Sequence, residues 1–217
     1  MSLKSSLKTL VTLGQGVVVG IPEAADDADP IELFGAWFAA ARDSGILLPE
    51  SMALATATPD GHPSVRMVLL KSFDARGFVF YTNYRSRKAV ELDANPHAAL
   101  CFHWPVLERQ VRISGTVARI SREESEAYFH TRPRGRRISA WASRQSEPLP
   151  GREELLRRVE EYRRRFPGDD VPLPDFWGGY RLRAERIEFW QGKADRLHER
   201  LLFERDGEEW RATRLYP

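Results

Sequence analysis

Three basic clusters hold the residues best suited to chemistry. In "FWQGKADRLHERLLF", residues 189–203, Arg196, His198 and Arg200 fall at every second position. Side chains two apart on a strand share a face. The spacing therefore predicts one face with two guanidiniums and an imidazole, opposite Leu197, Leu201 and Phe203, with Glu199 interrupting the apolar side. That face is either plain solvent surface or one wall of an anionic site. In "TNYRSRKAV", Ser86 is a predicted helix N-cap, which puts Arg87 and Lys88 in the first turn. Cations there oppose the positive end of the helix dipole. A bound phosphate would remove the mismatch, because free N–H groups at a helix start hold anions; the alternative is two solvated side chains. In "YFHTRPRGRRISAW", Tyr128 and Arg132 are four apart and suit one helix face, with Arg134, Arg136 and Arg137 following. A phenol beside guanidiniums suits a phosphomonoester, which arginine matches bidentately. The other readings are a basic surface loop or a nucleic-acid patch.

Two further residues belong with these. In "SVRMVLLK", Arg66 and Lys71 are separated by an odd number of positions, so on a regular strand they contact different groups. "YRRRF" at 162–166 reads as the polar face of its helix.

The elements that must position these clusters are mostly strands. Asp29 as N-cap, Pro30 at the first helical position and Gly45 as stop bracket a helix with Ile31, Leu33, Phe34, Trp37, Phe38 and Ala41 at helical spacing. "SMALATATPDGHPSVRMVLLKSF" reads as a hairpin turning at "PDGHP". "GFVFYTN" is a strand, and "SRKAVELDANP" a short helix ended by Asn95-Pro96. "HAALCFHW" and "RQVRISGTVARI" continue the β pattern. Ser121 with Glu124 forms a capping-box signature, and "GREELLRRVEEYRRRF" is an amphipathic helix. "GGYRLRAERIEFW", "RLHERLLFERDG" and "EEWRATRLYP" return to strands. The expected class is mainly β with flanking helices: a β-barrel decorated by helices over residues 29–217, after a flexible or atypical segment at 1–28.

Composition narrows the function. With 33 Lys+Arg against 31 Asp+Glu, the net charge of +2 is too small for a general polyanion binder, so nucleic acid is not the expected partner. The apolar run "TLVTLGQGVVVGI" is short and interrupted, so no membrane span is expected. A lone cysteine, Cys101, permits no intrachain disulfide and suits a reducing cytoplasm. The five histidines show no metal-ligand spacing, and no GxSxG elbow, Walker A loop or GxGxxG turn is present. What remains is two phosphate-binding sets and one cationic strand face, which suits two phosphorylated small molecules held together.

The motifs "RMVLLK", "FYTN", "SRKA", "LERQV", "YFHTRPR", "AWASRQS", "PDFWGGYRL", "IEFWQG" and "RLHERLLF" together resemble the pyridoxamine 5′-phosphate oxidase family, in that family's order from about Asp29 to the C-terminus. The resemblance implies an FMN-binding split β-barrel, a homodimer with FMN at the subunit interface. It implies oxidation of pyridoxine 5′-phosphate or pyridoxamine 5′-phosphate to pyridoxal 5′-phosphate, with O2 reduced to H2O2. By the same resemblance, Arg66, Met67, Val68, Leu69, Leu70, Lys71, Tyr81 and Thr82 line the flavin, and Arg87 and Lys88 meet its phosphate. Gln110, Gln145, Ser146, Trp190 and Arg200 match further flavin contacts, several of them from the partner subunit. Lys71, Tyr128, Arg132 and Arg136 match the substrate-phosphate positions, while Arg196, Leu197 and His198 match the substrate ring contacts, with Arg196 and His198 nearest the reacting carbon.

Two departures stand out. Arg136 occupies a position where the family often has serine, and no Arg-x-x-Tyr segment occurs near the N-terminus. Two other functions share much of this pattern: an FMN oxidase of a non-B6 substrate, as in phenazine pathways, and a non-catalytic module holding FMN or pyridoxal phosphate. Lys71, Tyr128, Arg132, Arg196 and His198 together favour the phosphorylated B6 substrate.

Overall fold

The structure, a computed structural model, describes Gly20, Ile21, Ala25 and residues 28–217. The flexible or atypical segment expected over residues 1–28 lies almost wholly outside these. Helix α1 (Pro30–Asp43) starts as expected. The Asp29 carboxylate accepts from the Ile31 and Glu32 amides at 2.6 and 3.1 Å, and Pro30 opens the first turn. Gly45, at φ 81°, follows the Ser44 C-cap. Phe34, Trp37 and Ala41 from this helix are buried in the main core. There Phe34 meets Phe73 and Phe78 edge-on, at 4.9 and 5.0 Å between ring centres.

Nine strands form one antiparallel sheet: β1 (Ser51–Ala57), β2 (Pro63–Leu69), β3 (Ser72–Asp74), β4 (Gly77–Asn83), β5 (His97–Trp104), β6 (Arg109–Arg119), β7 (Trp177–Gln191), β8 (Glu199–Asp206) and β9 (Glu209–Leu215). The order runs β2-β1-β5-β6-β7-β4-β3, with β8 also on β7 and β9 on β8. The 15-residue β7 organises this arrangement. Its first half pairs with β4, its second with β8, and its other edge follows β6 over almost the whole length. A register shift between Ser114 and Gly115 lets the sheet curl. Only glycine fits there, since a Cβ at 115 would lie 2.0 Å from the Arg183 carbonyl oxygen.

Helix α2 (Arg87–Ala94) follows β4, and α3 (Arg122–Thr131), α4 (Arg134–Ala142) and α5 (Arg152–Arg165) lie between β6 and β7. A second, smaller core of Phe129, Ile138, Ala140, Val171, Leu173 and Trp177 joins α3 and α4 to the start of β7. The expected hairpin, short helix, amphipathic helix and strands are all present.

Three local expectations are corrected. Residues 134–142, for which a basic surface loop was one of the readings, form a helix. The capping box at Ser121 is half made: its hydroxyl accepts from the Glu124 amide at 3.1 Å, but the Glu124 carboxylate turns to Arg181 at 3.0 Å. The third lies between β7 and β8. Ala194–Arg196 is a 3₁₀ turn with Asp195 and Arg196 at φ 56° and 60°, and the strand starts only at Glu199. Arg196 and His198 therefore precede the strand and do not share a strand face with Arg200. Leu197 is 70% exposed, whereas Leu201 and Phe203 are in the core. Among the described residues no helix is long and apolar enough to cross a membrane.

Candidate active site

A cavity of about 370 Å³ opens where the end of β2, the β4–α2 junction, α3 and α4 meet. That size suits a cofactor or small substrate. Met67, Val68, Leu69, Lys71, Tyr81, Thr82, Lys88, Tyr128, Arg132, Arg136 and Gln145, all expected site residues, line it. Sequence reasoning assigned no role to Asn83, Ser139, Ser143 and Trp177, which also face it. Trp177 lies in the "PDFWGG" motif, but only the fold shows that its ring continues a stack. Tyr81 lies 4.0 Å from Tyr128 and 5.4 Å from Trp177, nearly parallel to both. Arg132 caps this wall, with its guanidinium 4.6 Å from the Trp177 ring centre. Burial pushes the Tyr81 phenol up to about 12 and raises Tyr128, so both are neutral donors at neutral pH.

Arg132 is the informative cation. Its Nη1 is buried without a hydrogen-bond partner among the described residues, and burial lowers its pKa. A buried, unsatisfied guanidinium nitrogen is costly unless something accepts from it. Tyr128, Lys71 and Arg136 line the same cavity, so an anion is the matching ligand.

The second cationic centre lies at the start of α2. Lys88 is buried, and among the described residues its ammonium contacts only neutral oxygens: Gln145 Oε1 at 2.8 Å, Thr82 Oγ1 at 3.2 Å and Ser86 Oγ at 3.3 Å. Burial, with the charge of Arg66 adding and that of Glu91 opposing, pushes its pKa down to about 8. Ser86 precedes the helix as expected, but its hydroxyl does not cap it, and no acidic residue occupies the first turn. Ser146 takes part instead, its hydroxyl accepting from the Arg87 amide at 3.1 Å. Gln145 and Ser146, expected as further flavin contacts, thus lie beside Lys88 and Arg87 at the start of α2. A buried ammonium without a carboxylate partner, at a helix start lacking acidic residues, fits a phosphorylated cofactor such as FMN.

Two expected flavin contacts face elsewhere. Leu70 is buried in the core. Arg66 bonds inward, to Ser64 Oγ at 2.6 Å and Glu91 Oε2 at 3.1 Å. Arg66 and Lys71 do contact different surroundings, but not by alternation along one strand, because β2 ends at Leu69 and Lys71 lies beyond it.

The remaining expected residues form a separate patch. Gln110, Trp190 and Arg200 are directly opposite one another across β6, β7 and β8, so they make one row. The His198 ring lies 4.7 Å from that of Trp190, and its Nδ1 accepts from the Lys193 amide at 3.2 Å. Glu188 Oε1 accepts from Arg200 Nε at 2.8 Å, and its carboxylate also pairs with Arg112. Tyr81 pairs with Gly179 near the start of β7, whereas Trp190 is eleven residues on, roughly 35 Å along an extended strand. Within one chain the two patches lie toward opposite ends of β7, and no residue of the second lines the cavity.

Comparisons with known proteins agree with this division. A family model described as pyridoxamine 5′-phosphate oxidase matches residues 38–166. Another, the pyridoxine 5′-phosphate oxidase C-terminal dimerisation region, matches residues 177–217, which carry the whole second patch except Gln110. A Rubrobacter xylanophilus protein named pyridoxine/pyridoxamine 5′-phosphate oxidase is 62% identical over 198 residues, 91% of each chain. One of the same name from Psychromonas ingrahamii is 54% identical over the full length of both. Among solved structures, PhzG from Burkholderia lata 383 in complex with tetrahydrophenazine-1-carboxylic acid has a TM-score of 0.87 at 36% identity, covering 93% of this chain and 100% of that one. A pyridoxamine 5′-phosphate oxidase-related, FMN binding protein from Nostoc punctiforme shares the fold, with a TM-score of 0.71 at 20% identity over 88% of this chain and 99% of that one.

Proposed function

The chain belongs to the pyridoxamine 5′-phosphate oxidase family, and from that premise we propose that it oxidises pyridoxine 5′-phosphate or pyridoxamine 5′-phosphate to pyridoxal 5′-phosphate, using FMN and O2. The observation that carries this reading is the buried Nη1 of Arg132, without a hydrogen-bond partner among the described residues, in a cavity that also reaches the buried Lys88. Two cationic, anion-binding centres open on one cavity, which suits a phosphorylated substrate beside a phosphorylated cofactor.

When bound, FMN supplies the two-electron acceptor chemistry and returns the electrons to O2 as H2O2. The chain's own residues bind and orient. Arg132, Arg136, Lys71 and Tyr128 hold the substrate phosphate through charge-assisted hydrogen bonds. Lys88 and Arg87, at the positive end of the α2 dipole, hold the cofactor phosphate. The stack of Trp177, Tyr81 and Tyr128 gives that cavity a flat wall. Arg196 and His198 orient the substrate ring. They do so from the second patch, so the complete site needs a second copy of the chain, joined through the C-terminal dimerisation region. The lone, partly buried Cys101 suits the reducing cytoplasm in which we place the enzyme.

The likeness to PhzG supports a second reading, oxidation of a phenazine precursor. The phosphate site separates the two. Arg132→Ala is expected to raise KM for pyridoxine 5′-phosphate about 10- to 100-fold, the value of a hydrogen bond to a charged group, and to leave turnover of unphosphorylated pyridoxine unchanged. Steady-state kinetics on both substrates is the check. Equal losses on both would remove Arg132 from a phosphate site. A wild-type enzyme that prefers a reduced phenazine carboxylate would favour the second reading.

A further inference from the structure

Helix α2 carries a buried carboxylate that the chemistry above does not use. Glu91 is 4% exposed, yet it gathers four donors. Oε2 accepts from Thr56 Oγ1 at 2.5 Å, Ser64 Oγ at 2.6 Å and Arg66 Nη2 at 3.1 Å; Oε1 accepts from Arg87 Nε at 2.8 Å. Burial by itself would raise this carboxyl, but hydrogen bonds from Ser64, Thr56, Arg87 and Arg66 outweigh it and hold the pKa down at about 2. Glu91 therefore stays ionised at any working pH.

A negative charge one helical turn from an anion site needs a reason, because it opposes the bound phosphate directly. The pattern of bonds supplies one. Thr56, Ser64 and Arg66 fix the carboxylate to the β1–β2 hairpin, so it cannot swing away. From that fixed point it grips Arg87 by Nε only, while the two terminal nitrogens of Arg87 bond no described residue. The rest of that side chain is exposed beside the amide that Ser146 engages. A long, solvated arginine loses much rotamer entropy on binding an anion, and a guanidinium already held by Nε loses less.

We propose that Glu91 is the positioning residue of the cofactor-phosphate site, presetting Arg87 so that its terminal nitrogens are left for the phosphate. This rests on the FMN reading above. The competing role is purely structural, a buried ion pair tying α2 to the β1–β2 hairpin.

The test compares FMN with riboflavin, which lacks the phosphate, by titrating apoprotein and following quenching of flavin fluorescence. Wild type is expected to prefer FMN by at least about 100-fold, from two or more charge-assisted bonds. Glu91→Gln is expected to cut that preference roughly tenfold, with riboflavin affinity unchanged. In an Arg87→Ala background the same substitution is expected to change the preference no further, since the two act as one unit. Should Glu91→Gln fail to fold, Glu91→Asp, which keeps the charge but withdraws it by one methylene, is expected to show the same selective loss. Parallel weakening toward both flavins, or tighter FMN binding by either variant, overturns the positioning role and leaves the FMN reading intact. A wild-type protein that binds both flavins equally removes the FMN reading itself, and the proposal with it.

Discussion

Replacing Arg196 by alanine is expected to lower kcat about 10²- to 10³-fold, the scale of losing one preorganised donor at a reacting centre, while flavin loading, dimerisation and thermal stability stay as in wild type. The structural basis is the turn that replaces the expected strand. Arg196 is exposed, bonds no described residue, and sits at φ 60° directly after Asp195 at φ 56°. Left-handed backbone on a side chain other than glycine costs on the order of 1–3 kcal/mol. Among the described residues Arg196 makes no hydrogen bond or ion pair that offsets that. The turn is held from its flanks, by the Lys193 amide on His198 and by the His198 ring on Trp190. A strained turn that displays an unpaired guanidinium is what a site completed by another molecule needs, and alanine removes the guanidinium while keeping the backbone. Steady-state kinetics alongside a flavin spectrum and a sizing column reads all parts of the expectation. An undiminished rate would take Arg196 out of the active site; loss of flavin or of the dimer would make its role structural.

The second large effect lies at the other end of the site. Arg87→Ala combined with Lys88→Ala is expected to weaken FMN binding at least about 100-fold, because two charge-assisted contacts are lost together. Lys88 also gives this binding a pH signature. Its pKa is pushed down to about 8 by burial, and an adjacent phosphate raises it again, since opposite charge favours the ammonium. Proton uptake therefore accompanies binding above pH 8. Affinity is full at pH 7, where both states are protonated, and falls as pH rises through 8 toward the bound-state value. Lys88→Met should bind less tightly and lose that fall. Apoprotein titrated with FMN at pH 7 and pH 9 checks both; a double variant that retains flavin like wild type would remove the α2 terminus from the site.

Much of this molecule is legible in its sequence where a local rule suffices. The Asp29-Pro30 helix start, the "PDGHP" hairpin and the helix after Ser86 each follow from a cap or a turn residue, and each is present. The unsuitable cations in the first turn of α2 pointed to a phosphate site without help from the fold, and the buried Lys88 with no acidic partner supports that reading. The turn at 194–196 was hidden because Arg-Leu-His-Glu-Arg alternates like a strand. Periodicity carries no information on the sign of φ, and the left-handed pair Asp195–Arg196 breaks the alternation. Helix α4 was hidden for a related reason: Pro133 provides no capping side chain and its first turn is basic, so "RGRRISAWA" lacks a start signal. Burial of its Ile138 and Ala142 against the rest of the chain, which no local pattern reveals, stabilises it. Nothing in the sequence singles out Glu91, four residues after Arg87. Only the hairpin packed over it, bringing Thr56, Ser64 and Arg66, turns it into a buried anchor. The division of the site into two patches likewise depends on where β7 runs, which is a property of the whole sheet.

Reduction of bound flavin by substrate tests the proposed reaction most directly. The FMN-loaded protein is placed under anaerobic conditions, and its visible spectrum is recorded before and after adding pyridoxine 5′-phosphate and, separately, pyridoxamine 5′-phosphate. The expected result is bleaching of the yellow flavin by at least one of the two, reversed on admitting air, with pyridoxal 5′-phosphate formed in proportion to the flavin reduced. A flavin that binds but is bleached by neither would contradict the proposed oxidation and assign the two cationic centres to a different substrate or to a carrier.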